Sequence, residues 1–478
     1  MNWLALTVLV AWIPVVALLF AVLPARRAVL AAMLGAWLFL PMGGFDISGL
    51  PDYTKMNATS YALLLCVLAF DFGRVMRFRP APIDLPMAAW CAVPALSALD
   101  NGHGAYEAAS AVFAQIVTWA IPYFVGRLYF RTPGELRELA VAIVIGGLLY
   151  VPLCLLELWI SPQLHRLLYG AHQHSFAQSY RVGLLSTWRP MVFMQHGLMV
   201  AAWMMSAAVI AAWLWSTGAA RRVLGSPVGL VAGVLLVVAV LCKSVGAIAL
   251  LLVGLACLVA VRYLRLGVVL ACLAVAPLGY IWLRGPVGWD GAPLVDAAAL
   301  VAGGDRAQSL GFRLHNENML YARAMQRPLL GWGRMGENRV RGDELEDVST
   351  TDGMWIIAVG VNGVVGLAAL YWWLLTPPLL VLWRLRRVPL TWPQRGPIYG
   401  LVTVLLLFAA DTIPNSMVNP VFVLIAGGLG SIGVVLRAAV RARPGLAVPA
   451  PRLVPAGPDR GEPALGRLAD PFPGTGAA

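Results

Sequence analysis

Charge is scarce in this chain. Of 478 residues only 12% are charged while 60% are hydrophobic, and mean hydropathy is +0.77. These values exclude an ordinary soluble globule and point to an integral membrane protein. There is no Walker loop, no dinucleotide fingerprint and no long polar stretch that would fold as a soluble catalytic domain, which argues against ATP or nicotinamide chemistry. The six cysteines (Cys66, Cys91, Cys154, Cys242, Cys257, Cys272) fall in apolar runs or at their ends. That placement suggests neither a disulfide framework nor a zinc site. No basic residue precedes the first apolar run, so it reads as an uncleaved span rather than a signal peptide.

What is present is a series of apolar runs of helix length, at 2–23, 28–41, 58–72, 85–99, 108–125, 139–160, 191–215, 228–241, 247–261, 266–282, 354–382, 399–408 and 420–436. Several are short for a bilayer of about 30 Å, and the pattern predicts 12–14 spans. Arginines gather at every second connection: 26/27, 74/77/79, 127/131/137, 221/222, 262/265, 384/386/387 and 437/441/443. By the positive-inside rule these connections are cytoplasmic, and the formal charge of +12 follows that rule rather than a nucleic-acid-tracking face. The connections at 43–56, 100–106, 161–190, 285–351 and 411–419, with the turn at Lys243, then face outward. The expected fold is all-α, a polytopic transmembrane helix bundle with one long, partly helical periplasmic loop in its C-terminal third. Its expected parts are spans with short loops over 1–284, the large loop 285–351, the C-terminal spans 352–442 and a disordered cytoplasmic tail over 443–478, rich in Pro, Gly and Ala.

This topology puts all six histidines (His103, His165, His172, His174, His196, His315) on or near the outer face. Polar chemistry is one-sided, unlike a carrier, whose ionisable groups mark a path through the bilayer. Glu157 and Asp71 lie toward the ends of their spans; Glu157 reads equally well as a functional or a satisfied structural group, whereas Asp71 reads as structural. His165, His172 and His174 are close in sequence but have no carboxylate or cysteine at ligand spacing, so no metal site is expected.

In the long loop, 309–326 reads as a helix stopped by Pro328. At 100° per residue Arg313, Asn316, Arg323 and Arg327 fall within roughly 80° of one another, a basic stripe. Guanidinium forks bind phosphate oxygens bidentately and stay charged when partly desolvated. The plain alternative is a solvated face offset by Asp343, Glu344, Glu346 and Asp347. After the stripe come Pro328, Leu329, Leu330, Gly331, Trp332 and Gly333, then Thr350, Thr351, Asp352 and Gly353, leading into an apolar run with Gly360, Gly363 and Gly366. That glycine spacing suits close helix packing.

In order and spacing, these residues resemble the O-antigen ligase and O-antigen polymerase superfamily, membrane glycosyltransferases that use undecaprenyl-pyrophosphate-linked glycans. The resemblance covers 181–367 and includes Arg189 and Pro190 near His196, and Lys243, Ser244 and Gly246 at an outer turn. It implies catalytic roles for Arg189, Arg313 and Asp352 and substrate contacts from Arg181, His196, His315, Arg323, Arg327 and Arg334. Ligases carry His-Asn where this chain reads Thr351, Asp352, Gly353, which shifts the expectation toward a polymerase with an aspartate base. The implied partners are an undecaprenyl-pyrophosphate-linked oligosaccharide, an acceptor glycan or lipid and membrane lipids, with room for a chain-length regulator. Neither nucleic acid nor any cofactor is implied. The expected site of action is the periplasmic face of a bacterial inner membrane. A carrier or flippase for a lipid-linked or anionic solute is the alternative.

Overall fold

A computed structural model describes residues 1–47, 50–174, 186–342 and 346–441. Eighteen α-helices are described among them. The first half comprises α1 (Trp3–Val22), α2 (Ala25–Phe39), α3 (Lys55–Phe70), α4 (Phe72–Met76), α5 (Leu85–Asp100), α6 (Gly104–Gln115), α7 (Ile121–Tyr129), α8 (Pro133–Ile160) and α9 (Leu164–Tyr169). The second comprises α10 (Gly197–Ser216), α11 (Val228–Leu241), α12 (Val245–Arg262), α13 (Val268–Arg284), α14 (Ala292–Ala302), α15 (Gly304–Ala324), α16 (Met354–Leu385), α17 (Trp392–Asp411) and α18 (Pro420–Arg441). Two short antiparallel hairpins, Gly44–Ile47 with Leu50–Thr54 and Arg222–Val223 with Ser226–Pro227, are the remaining regular structure.

The molecule is therefore an all-α, multi-pass bundle. Each of the thirteen apolar runs overlaps a helix, although the run at 191–215 starts six residues before α10, and eight helical segments are long and apolar enough to cross a membrane. A π-helical turn, Ile116–Ala120, joins α6 to α7 without a break. Local signals set the helix starts. Thr132 and Glu135 form a capping box with Pro133 at the first turn of α8, and Ser244 Oγ accepts the Ala247 N–H at the start of α12. At the bundle centre α10 is apolar all round and almost wholly enclosed by α8, α11, α12 and α17. Peripheral helices instead leave large apolar side chains bare, among them Leu18, Leu230, Leu252 and Trp282, each more than 60% exposed. Lipid tails cover such residues at no cost, whereas water would not.

The long loop holds two helices, α14 and α15, and α15 begins at Gly304, five residues before the start expected from sequence. A buried carboxylate fastens α15 to the bundle. Glu317 accepts from Tyr280 Oη (2.7 Å), Arg284 Nε (3.3 Å) and Trp355 Nε1 (3.2 Å), tying α15 to α13 and α16. Arg284 also donates to the Leu314 and Trp289 carbonyls, at 2.7 and 2.5 Å. Burial raises the Glu317 carboxyl above its ordinary range against the pull of these donors.

The glycine-spaced helix departs from the packing expectation. α16 is broken at Gly363, which sits at φ 64°, ψ −169°. The segment 328–333 fills the break with backbone: Trp332 N–H donates to Gly360 O (3.0 Å), Gly333 N–H to Val361 O (2.8 Å) and Val364 N–H to Pro328 O (2.8 Å). Glycine is required on both sides of this crossing. A Cβ on Gly331 would stand 2.6 Å from Gly363 N, and one on Gly363 would stand 2.1 Å from Leu329 O. Ser97 Oγ caps the arrangement with hydrogen bonds to the Leu330 and Val361 carbonyls.

Helix connections gather at two ends of the bundle. Hydrogen bonds link 42 with 165, 55 with 193, 187 with 243, 313 with 414, and 354 with 412 at the first, called here the His196 end. At the second, the Arg127 end, Arg26 meets Glu135 and Glu138, Arg127 meets Asp84, and Arg137 meets the Ala219 carbonyl. The tail 443–478 expected from composition lies outside the described residues, as does 175–185 of the second loop.

Candidate functional site

The site is built on the stretch 187–196, where the chain enters α10. Glu157, at the end of α8, organises it: its carboxylate accepts the N–H groups of Leu164 (2.9 Å), Met191 (2.8 Å) and Val192 (2.7 Å). These bonds hold Val192 at φ 50°, a conformation a β-branched residue rarely adopts. Glu157 is thus a structural acceptor, one of the two readings its position allowed. Asp71 has the same standing, accepting from Arg74 Nε (2.8 Å) and Tyr129 Oη (3.0 Å).

Both lysines of the chain bind this one stretch. Lys55, buried on α3, donates to the Phe193 carbonyl at 3.0 Å, and Lys243 donates to the Thr187 carbonyl at 2.5 Å. Arg189 returns the contact, its Nη2 donating to the Lys243 carbonyl at 3.1 Å. Lys243 occupies the left-handed region at φ 56° between α11 and α12, which turns its ammonium back over 187–189. Burial first, then the Arg189 charge, lowers the Lys243 ammonium below its ordinary value.

His196 lies at the centre. As N-cap of α10 it accepts the Leu198 N–H on Nδ1 at 3.1 Å, and its ring meets His174 edge to face with centroids 4.9 Å apart. Burial, then the charges of His174, Arg189 and Arg313, lowers its pKa to about 4. Near neutral pH His196 is therefore uncharged, with Nδ1 accepting from the backbone and the proton on Nε2.

Arg313 reaches this centre from α15. Its Nε lies 3.4 Å from Asp352 Oδ2, and its Nη1 donates to the Pro414 carbonyl at 3.3 Å. Asp352 is half-buried just before α16, and burial raises its carboxyl above the ordinary range while Arg313 opposes the rise. The same guanidinium acts on Asp411 at the end of α17. Thus Arg189 and Arg313, carried by separate parts of the chain, both act on one neutral imidazole, with Lys243 against Arg189 and Asp352 against Arg313.

Other residues of the expected stripe go elsewhere. Arg323 and Arg327 stack on Trp332, their guanidinium carbons 3.3 and 4.9 Å from the ring centre, and Arg327 also bonds Asn101 on α5. Arg323 further donates to Gln326 Oε1 (2.7 Å) and the Glu337 carbonyl (3.2 Å). They fasten the 328–333 turn. Asn316 is buried, its Oδ1 accepting the Thr350 N–H at 2.7 Å two residues from Asp352. His315 is exposed, about 200° round α15 from Arg313. Arg334 lines a separate cavity of roughly 410 Å³ with His103, Glu107, Gln115, Thr118 and Asn362. The stripe's acidic counterweight is also displaced, since Asp347 pairs with Arg339; Asp343 and Glu344 lie outside the described residues, as does Arg181. His165 is committed on both nitrogens, accepting the Met42 N–H at 2.9 Å and donating to the Ala171 carbonyl at 2.6 Å.

Sequence reasoning missed Lys55, Glu317 and Arg284. A lone cation at the edge of an apolar run was a usable signal for Lys55, whereas nothing local marks a pair 33 residues apart. No protein-family model matches the chain, and no curated protein matches its sequence.

Proposed function

We propose that the protein is a membrane glycosyltransferase, transferring or polymerising an oligosaccharide from an undecaprenyl-pyrophosphate donor at the periplasmic face of a bacterial inner membrane. One observation carries the reading: Arg189 and Arg313 both act on neutral His196, with Lys243 beside Arg189 and Asp352 against Arg313. Like charges held together in a partly dry setting call for an anion, and a diphosphate supplies two anionic centres on one leaving group.

In the proposed reaction a hydroxyl of the acceptor sugar attacks the anomeric carbon of the donor glycan. The new glycosidic C–O bond forms as the bond to pyrophosphate breaks, and the electron pair leaves with the diphosphate. Arg189 and Arg313 stabilise that charge, and His196 donates a hydrogen bond through Nε2. Asp352 takes the hydroxyl proton, a task to which its raised pKa is suited. The reaction needs no metal, because guanidinium groups do the electrostatic work.

The break in α16 favours a second reading, since interrupted helices form substrate sites in carriers. Here the opened backbone groups are taken by 328–333. Incubating purified protein with a lipid-linked oligosaccharide separates the readings. A ladder of longer glycans indicates a polymerase and one transfer to a second lipid indicates a ligase. Movement across a bilayer with no new bond would replace the enzyme reading with a flippase.

A further inference from the structure

A second cluster of cations lies at the Arg127 end. Two cavities meet there. The first, roughly 410 Å³, is a groove between α5 and α6–α7 walled by apolar residues including Met87, Ala88, Cys91, Ala92, Ile116 and Phe124. Ala88 and Ala92 stand one helical turn apart and are exposed, as is Ile116 at the π-helical turn, so the groove is shallow and open along its side. The second, roughly 100 Å³, is lined by Arg74, Arg77, Arg79 and Arg131 together with the end of α7 and one face of α18.

Both cavities share Phe78 and Arg127 as a common wall. That wall is rigid. Phe78 packs edge to face on Phe124 with centroids 5.0 Å apart, and the Arg127 guanidinium lies 5.4 Å above the Phe78 ring. Arg127 bonds Asp84 through Nε (2.6 Å) and Nη2 (3.0 Å) and Ser431 through Nη1 (2.7 Å). Arg74 is likewise engaged by Asp71. Arg77, Arg79 and Arg131 differ: all three are exposed, and among the described residues their side chains make no hydrogen bond or ion pair. Three unpaired guanidinium groups thus ring a small pocket that runs into a greasy channel.

We propose that this composite site binds an anionic phospholipid of the adjoining leaflet, its phosphate among Arg77, Arg79 and Arg131 and one acyl chain in the groove. The polar part selects negative charge and the apolar part selects a chain-bearing molecule over a free anion. This site is at the opposite end of the bundle from His196 and does not depend on the proposed reaction.

Native mass spectrometry of the full-length protein, titrated with phosphatidylglycerol and with phosphatidylcholine of the same chains, tests it. The expected result is at least about tenfold tighter retention of phosphatidylglycerol, the scale for a few basic side chains beside an anionic lipid. An Arg77→Ala/Arg79→Ala/Arg131→Ala variant should bind the two lipids equally. Ala88→Trp, which fills the groove, should weaken both lipids while leaving the arginines in place. Millimolar inorganic phosphate should not displace phosphatidylglycerol. Equal retention of the two lipids by the unaltered protein overturns the proposal. So does an unchanged preference in the triple variant, or full displacement by inorganic phosphate.

Discussion

Arginines at the two ends of the bundle are used differently. Within the Arg127 end, Arg26, Arg74 and Arg127 meet carboxylates, while Arg137 and Arg262 meet helix-terminal carbonyls. These contacts join α2 to α8, α5 to α7 and α10 to α12, and each answers a local charge or dipole. At the His196 end Arg189 and Arg313 instead act on one imidazole and lower its proton affinity, with Lys243 beside Arg189. Cations set to hold helices together are placed near anions, whereas cations set to hold a ligand are placed near each other. The difference assigns architecture to the paired arginines Arg26, Arg74 and Arg127, and leaves Arg77, Arg79 and Arg131 at that end, like Arg189 and Arg313 at the other, for the proposed ligands.

The sharpest way to break that contrast is to remove one arginine from each end. Arg127→Ala leaves Asp84 without its charged partner at a buried site and should cost about 3–5 kcal/mol of stability, read as a lowered melting temperature in detergent. Arg189→Ala and Arg313→Ala should leave melting unchanged yet reduce glycan transfer by about 10²–10³-fold, the scale for losing one donor to a developing oxyanion. If all three behave alike, the two ends are not distinct.

Gly363→Ala tests the helix break that 328–333 fills. An L-residue at its positive φ costs about 1–2 kcal/mol before the clash with the Leu329 carbonyl is counted. The variant should therefore melt earlier, with proteolysis increased near 328–333. A smaller loss, about 0.5–1.5 kcal/mol, is expected for Ser97→Ala, which removes the hydroxyl donor to the partly buried Leu330 and Val361 carbonyls while Val361 keeps the Gly333 N–H.

The mildest effect is in pH. The folded pKa of His196 is lowered to about 4, so the unfolded chain takes up a proton that the folded chain refuses. Stability should rise as pH increases from about 4 into the ordinary imidazole range, and His196→Gln should flatten that slope. Activity should show no inflection from His196 near neutrality. It should fall on the acid side as Asp352 protonates, at a pH above the ordinary aspartate range. A bell centred on a neutral-range histidine would reassign the base.

Much of the fold was legible because bilayer spans announce themselves by length and apolarity. Arginine spacing along the chain divided the connections into two sets, and hydrogen bonds between distant connections reproduce that division. Arg189 was also in reach, since it flanks the apolar run that becomes α10 on the outward side of the expected topology. Less could be read within the long loop. A helical wheel placed Arg323 and Arg327 with Arg313, but Arg327 lies beyond the end of α15 and both side chains turn onto Trp332. Glycines spaced by three look the same whether they pack a helix or break it, and the break depends on a partner segment thirty residues away. The Glu317 tie was invisible because its three partners come from two other helices, α13 and α16.

The most direct test is the affinity of the purified protein for undecaprenyl pyrophosphate, measured for the unaltered chain, Arg189→Ala and Arg313→Ala. Each substitution should weaken binding by about tenfold or more, as loss of a charge-assisted hydrogen bond requires. Unchanged affinity in both variants would contradict the claim that these arginines grip a diphosphate.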